Sequence, residues 1–397
     1  MARRLSVVPD SAAPATLLWP FARRRAKVKP RRDAFYPVSF APLAPANFAL
    51  SSIGRRSLRF VFVLSICALL AACEFEPPDR TVRFTGSTMG TTYELKLVPP
   101  PGQTVPTDFN RQAAALLAGI NQKMSTYDPE SELSRFNRNP STDWVAVSPE
   151  LREVVAAGLR ASEWTGGAFD ITVGPLVNLW GFGPEPHQDR IPSEDAIRQA
   201  RERVGFRRLR ARAEPPALKK DRPDLYVDLS ALAKGYGVDR LAELVEASGI
   251  GNYLVAIGGD LRAKGHNGKG RPWTVAIERP TPGQRAVERL LKIGDHAVST
   301  AGDYRNFFER DGRRYSHVID PRTGWPVPQT VASVTVIDRR DLDADAADTA
   351  LMAAGEEAGF RLARERHIAA LFILPDADGR TFRERHTPEF EPFLLPP

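Results

Sequence analysis

Val227-Asp228-Leu229-Ser230-Ala231-Leu232-Ala233-Lys234-Gly235-Tyr236 marks the point where the periodicity of this chain changes. Residues Leu225 to Leu229 read as a strand, and from about Leu232 to Ala247 apolar residues recur at helical spacing. A strand ending in the carboxylate of Asp228 thus feeds a helix with Lys234 at its start. The free N–H groups and positive dipole at a helix N-terminus suit a phosphate. On spacing alone, an acidic cap and a solvated lysine account for the same residues.

On the N-terminal side, alternation from Val82 to Leu97, broken by Gly86 and Gly90, predicts strands around a tight turn. A loop at Pro99-Pro100-Pro101-Gly102 leads to a helix over Asp108 to Met124, with Ala114, Leu117 and Ile120 on one face. A second helix follows Ser148-Pro149-Glu150, where Ser caps and Pro opens the first turn. A short polar helix is expected from Ser193 to Val204. On the C-terminal side, Tyr253 to Ile257, Trp273 to Glu278 and Val331 to Ile337 read as strands. Ala344 to Ala354 reads as a helix that continues after Gly355, and Ile368 to Leu374 as a late strand. Helices and strands mix without a βαβ cadence or repeat, which predicts an α+β fold.

The charge is unevenly spread. The chain has 397 residues and a net charge of +7, yet residues 1–72 carry 12 Lys+Arg against 2 Asp+Glu, leaving 43 basic and 46 acidic residues in the remainder. A slightly acidic body offers no electrostatic footprint for nucleic acid. Residues 1–53 read as an Arg-, Ala- and Pro-rich extension outside the fold. Arg55, Arg56 and Arg59 precede an apolar run from Phe60 to Leu70, of signal-peptide length and short for a membrane span. That segment, 54–72, ends in Leu70-Ala71-Ala72-Cys73, which resembles a bacterial lipobox with Cys73 as the lipidated residue. Residues 73–80 would then be a tether and 81–397 the working domain, exported and held at a membrane. Cys67 and Cys73 are the two cysteines, so a mature body would have neither disulfide nor thiolate zinc site.

Neither G-x-G-x-x-G after a strand nor G-x-x-x-x-G-K-[ST] occurs, and the six histidines form no H-x-x-x-H pair. Two further clusters stand beside the Lys234 segment. In Ala344-Asp345-Ala346-Ala347-Asp348-Thr349, Asp345 and Thr349 are four apart and share a helix face, offering hard oxygen ligands to Mg²⁺. Acidic residues favouring a helix start account for the same pattern. In Tyr315-Ser316-His317-Val318-Ile319-Asp320-Pro321-Arg322-Thr323-Gly324 a histidine precedes a Pro-x-x-Gly turn, where it can move protons or simply serve the structure.

Together and in order, these clusters resemble the ApbE family of FAD:protein FMN transferases. The likeness runs from about Thr81 to Leu374. It includes Gly86-Ser87-Thr88-Met89-Gly90-Thr91, Met124-Ser125-Thr126-Tyr127-Asp128-Pro129, Ser131-Glu132-Leu133-Ser134 and Gly166-Gly167-Ala168-Phe169-Asp170-Ile171-Thr172. Gly258-Gly259-Asp260, Pro272-Trp273 and Ala344 to Gly355 continue it. The resemblance implies a T-fold-related body with FAD in a cleft between lobes. By matching position, Met89, Tyr127, Ala168, Phe169, Asp170, Asp228, Lys234 and the Ile319 backbone would contact FAD. The Ala231 carbonyl, Asp345 and Thr349 would hold Mg²⁺, and His317 would assist the attacking hydroxyl as its base. Asp345 is expected as an exposed carboxylate in the cleft. Gly258-Gly259 would permit close backbone approach or form a plain β-turn.

The family's targets carry a Ser/Thr-Gly-Ala-Thr-like acceptor motif, as in subunits of membrane electron-transfer complexes. No such motif occurs here, so modification would be in trans. Ser299-Thr300-Ala301-Gly302 stands where the family usually has Ser-Thr-Ser-Gly, which removes a hydroxyl. The basic, Pro-bearing segment Arg207 to Asp224 reads as a surface insertion without chemistry. The alternatives are an FAD pyrophosphatase, with water in place of the acceptor, and a non-catalytic flavin-binding lipoprotein.

Overall fold

The first strands, β1 (Val82–Thr88) and β2 (Thr91–Leu97), pair from Val82↔Leu97 to Thr88↔Thr91. Met89 (φ +49°) and Gly90 (φ +70°) both adopt the left-handed conformation between them. A two-residue turn of this hand matches the twist of the strands it joins. A computed structural model describes residues 79–184, 190–281, 286–304, 306–376 and 381–396. Residues 1–53, the segment 54–72, Cys73 and most of the expected tether lie outside the described residues. Among the described residues no helix is long and apolar enough to cross a membrane.

The remaining strands are β3 (Val145–Ala146), β4 (Leu209–Arg212), β5 (Ala217–Lys220), β6 (Tyr253–Ile257), β7 (Asp260–Lys264), β8 (Trp273–Glu278), β9 (Val287–Ile293), β10 (His296–Gly302), β11 (Phe307–Arg310), β12 (Arg313–Ser316), β13 (Ser333–Asp338), β14 (Ala369–Pro375) and β15 (Phe382–His386). Six of them join β1 and β2 in one antiparallel sheet of order β1-β2-β6-β7-β10-β13-β14-β15. Alternation along the strands builds two layers. Tyr253, Val255 and Ile257 of β6 join the core beneath the helices, while Leu254 joins Trp273, Ile277, Leu291 and Ile293 of the β8–β9 ribbon on the other face. The α+β expectation holds.

On the helical face lie Phe109–Met124, Pro149–Trp164, Ala233–Ala247 (the Lys234 helix), Asp341–Ala354 (the Asp345 helix) and Glu356–Glu365. Local chemistry sets their ends. Ser148 accepts from Leu151 N–H at 3.2 Å with Pro149 in the first turn, and Ser193 accepts from Ala196 N–H to open Glu194–Glu202. Such caps are worth about 1 kcal/mol each. The Asp345 helix lacks a cap of its own. Asp239, on the Lys234 helix, supplies it by accepting from the N–H groups of Asp341 (3.0 Å) and Leu342 (3.1 Å). The two helices also touch at Gly235, where a Cβ would stand 2.5 Å from the Asp341 carbonyl oxygen and 2.8 Å from Asp345 Cβ. Only glycine allows that approach.

Two expectations are corrected. Leu225 to Leu229 forms no strand and pairs with none among the described residues: Val227 bonds Asn137 in both directions, and Asp228 N–H donates to Ile171 O at 2.8 Å. Arg207 to Asp224 is not a surface insertion. It supplies the β4–β5 hairpin of a three-stranded sheet, ordered β3-β5-β4, and Lys220 at its end is fully buried. The Lys220 ammonium donates to the Asn137 carbonyl at 3.1 Å and the Phe136 carbonyl at 3.3 Å, and burial lowers its pKa.

Candidate active site

A cavity of about 400 Å³, within the usual size of a small-ligand pocket, is walled by the first turn of the Lys234 helix, the Asp345 helix, β10 and the base of the β11–β12 hairpin. Of the residues singled out in the sequence, Tyr127, Ala168, Phe169, Asp170, Asp228, Ala231, Lys234, His317, Ile319, Asp345 and Thr349 all line it. Met89 is not among the lining residues; it packs, half-buried, against the main core beside Gly237. Tyr127 stands on the rim at 65% exposure, an open aromatic face. Asp170 is buried, and its oxygens accept from Thr172 N–H (2.8 Å), Thr172 Oγ1 (2.7 Å) and Phe206 N–H (2.8 Å). Its carboxylate therefore pins the Ala168–Thr172 loop. Asp228 accepts from Ser230 N–H and Oγ and shapes the entry to the Lys234 helix. Gly258-Gly259 is the two-residue turn between β6 and β7, with φ +65° at Gly258, and neither residue lines the cavity.

One end of the cavity is charged. Asp345 is only 2% exposed, not the open carboxylate expected from the sequence, because the Lys234 helix passes directly over it. Asp260, Asp345 and Asp348 each place a carboxylate oxygen within 4.8 Å of the others. Lys234 ion-pairs with Asp260 and lies 3.4 Å from Asp345. Burial alone would lower the lysine pKa, but the two carboxylates hold it well above the ordinary value. Burial first, then repulsion from Asp260, pushes Asp345 up to about 6 against the pull of Lys234. Asp348 rises well above its ordinary value, from burial and from Asp345 and Asp260. Behind them Asp341, wholly buried, has neither carboxylate oxygen in a hydrogen bond. One ammonium thus faces several buried acids. A hard cation with oxygen ligands fits that donor set and that excess of negative charge.

The His317 end is backed by an aromatic cluster, of which Phe182 lines the cavity while Trp180, Tyr315 and Phe308 lie behind the lining. Trp180 is fully buried, donates its indole N–H to the Gly324 carbonyl at 2.8 Å and stacks on Tyr315, which stacks on Phe308. Phe182 stacks on Phe308 and meets the His317 ring edge-on at 6.3 Å. His317 Nδ1 lies 3.0 Å from the Asn306 carbonyl oxygen. A carbonyl only accepts, so Nδ1 carries the proton and Nε2 keeps its lone pair. Burial lowers the imidazole pKa, the Asn306 bond opposes this, and the charge of Lys234 adds to the lowering. The histidine is therefore neutral near pH 7, with the Nε2 lone pair available to accept a proton. The turn after it forms as expected, with Gly324 N–H donating to the Asp320 carbonyl at 2.7 Å.

Asp260, Asp348 and Asn306 were not assigned as site residues from the sequence. Asp260 stands directly after a glycine turn and gave no periodic signal, although its hydrogen bond from Ser299 Oγ, at 2.9 Å, fixes it at the head of β7. Asp348 sits three residues after Asp345, one helical turn on, and that spacing is a usable sign of a shared face. Asn306 acts through its backbone, which no sequence pattern marks.

The chain matches the sequence model of the ApbE family over residues 89–372. It is 46% identical over 339 residues to the FAD:protein FMN transferase of Vibrio cholerae serotype O1, covering 84% of this chain and 98% of that relative. It is 40% identical over 343 residues to the FAD:protein FMN transferase of Escherichia coli K12, covering 84% and 97%. Its structure resembles that of the flavin transferase ApbE from Vibrio cholerae, with a TM-score of 0.74 and 45% identity over 80% of this chain and 100% of that one. The apo flavinyl transferase ApbE of Pseudomonas stutzeri gives a TM-score of 0.72 at 39% identity, covering 79% and 96%. The chain belongs to the ApbE family.

Proposed function

We propose that this protein is an FAD:protein FMN transferase that moves the FMN moiety of FAD onto a serine or threonine hydroxyl of a target protein and releases AMP. The observation that carries this reading is that one cavity is lined both by the Lys234–Asp345–Asp348 cluster and by a neutral histidine whose Nε2 is free to take a proton. In the proposed step the acceptor oxygen bonds to the FMN phosphorus, the bond from that phosphorus to the bridging oxygen breaks, and AMP leaves with that oxygen. The hydroxyl proton passes to His317 Nε2. Lys234 sets its charge against the pyrophosphate, and the exposed ring of Tyr127 offers a stacking face to a flavin or adenine. Asp345, Thr349 and the Ala231 carbonyl, with Asp260 and Asp348 alongside, would hold Mg²⁺, which supplies charge stabilisation at the phosphates.

The target is a protein with a Ser/Thr-Gly-Ala-Thr-like segment, of the kind found in membrane electron-transfer subunits. Lipidation at Cys73 would hold the enzyme on the periplasmic side of a bacterial membrane, near such a partner; a single acyl chain anchors only marginally, and a lipoprotein cysteine carries more than one.

The test mixes the protein with FAD, Mg²⁺ and a protein bearing that segment. Flavin fluorescence that stays on the acceptor in a denaturing gel, matched by AMP release, is the expected result. AMP release without covalent flavin would make the protein a pyrophosphatase. FAD binding with neither product would make it a flavin carrier.

A further inference from the structure

Lys234 stands where a metal ion would be at home. Its ammonium ion-pairs with Asp260 and approaches Asp345 to 3.4 Å, while a third carboxylate, Asp348, lies within the same 4.8 Å group. The lysine side chain is 32% exposed and lines the cavity, whereas the Asp260 and Asp345 side chains are 2% and 3% exposed. The ammonium therefore caps a buried anionic pocket on its open side. Both carboxylates have other ties: Ser299 Oγ donates to Asp260 at 2.9 Å and Gly235 N–H to Asp345 at 2.9 Å. They can stay in place when the lysine leaves. Its flexible four-carbon stem permits the move.

We infer that Lys234 is an internal stand-in for the divalent cation, yielding Asp345 when the cation binds and turning its own charge to the substrate pyrophosphate. This rests on the proposed reading of the cavity as a cation-assisted flavin-transfer site. Cation alone must displace the ammonium from its carboxylate partners into solvent, so it binds weakly. Pyrophosphate gives the displaced ammonium a new partner. FAD and cation therefore strengthen one another, and reciprocity requires the same factor in both directions. The lysine partly compensates the acids until both ligands are present.

The experiment is an equilibrium titration of the purified protein with Mg²⁺, alone and with FAD, without acceptor, on wild type, Lys234→Met and Lys234→Arg. Thermal unfolding checks that each is folded, and Lys234→Gln replaces the methionine variant if that one is not. Lys234→Met should bind Mg²⁺ alone at least about tenfold tighter than wild type, because three clustered carboxylates then lack their internal counter-charge. Added FAD should raise Mg²⁺ affinity about 5- to 150-fold in wild type, the usual range of coupling between sites, and far less in Lys234→Met. Lys234→Arg, which keeps the charge, should keep the weak cation-only binding. If wild type binds Mg²⁺ with FAD but Lys234→Met shows unchanged cation-only affinity, the stand-in role is wrong and the cation site survives. If wild type binds no Mg²⁺ even with FAD, the inference and the cation-assisted reading fall together.

Discussion

The two ends of the cavity hold their functional groups by opposite means. At the charged end Asp260, Lys234 and Asp345 come from β7 and two helices, and the ionisation of Lys234 and that of Asp345 depend on each other. At the aromatic end a single imidazole is set by the Asn306 carbonyl and the edge contact of Phe182. A charged cluster works by leaving buried charge under-compensated, so it responds to whatever binds. An aromatic cradle works by fixing one ring and its tautomer, so it stays as it is. A substitution at the first end should spread to its neighbours, and one at the second should remain local.

The largest effect is expected from Asp345→Ala, which should abolish Mg²⁺-dependent FMN transfer in the acceptor assay. Its stability should move little: losing the hydrogen bond from Gly235 costs about 1–3 kcal/mol, and relief of repulsion from Asp260 and Asp348 offsets it. Calorimetric unfolding alongside the assay separates the two, and collapse of the fold would break the contrast. His317→Ala should come next, lowering transfer by at least about a hundredfold, the low end for a general base, with FAD affinity unchanged in a fluorescence titration. Joint loss of FAD binding and thermal stability would make the histidine structural.

A pH–rate profile sharpens the comparison further. Burial lowers the His317 pKa, so its neutral, base-competent form persists as pH falls and is lost only on protonation below the ordinary value of 6.5. The acid limb of kcat/KM should accordingly lie below pH 6.5, and His317→Ala should remove the histidine's part of it, leaving only what Asp345 contributes as it is protonated at about pH 6. A limb above that value would contradict the burial assigned to the ring. The smallest effect belongs to Phe182→Leu. It should lower kcat by about two- to tenfold, the equivalent of the ~0.5–1.5 kcal/mol carried by such a ring contact, with KM little changed in steady-state assays.

The same contrast explains what could be read from the sequence. Helix starts announced themselves through Ser148 and Ser193, and β6 and β8 matched their expected spans, Tyr253 to Ile257 and Trp273 to Glu278. β10 was missed because His-Ala-Val-Ser-Thr-Ala-Gly is small and polar, and its place inside the sheet comes from partners on both sides, β7 and β13. Leu225 to Leu229 misled because its apolar side chains fill the core while its backbone is satisfied by Asn137 and Ile171. At the site, Lys234, Asp345 and His317 carried signals of residue type and spacing. The burial of Asp345 did not, because it depends on a helix that begins more than a hundred residues earlier in the chain. Lys220 shows the same limit: a basic run looked like surface until three backbone carbonyls turned out to take its ammonium.

The cap that Asp239 places on the Asp345 helix has a consequence for how the domain forms. Lys234 and Asp345 are 111 residues apart, and the strands at the middle of the sheet, β7, β10 and β13, are laid down between them. The second helix begins on a carboxylate donated by the first, so neither half of the charged end is complete without the other. Contacts of such long sequence separation close slowly, on the millisecond-to-second scale of sheet-rich domains. Flavin capture should therefore be among the last events of refolding, and a nascent chain ending before residue 341 should have no pocket to offer.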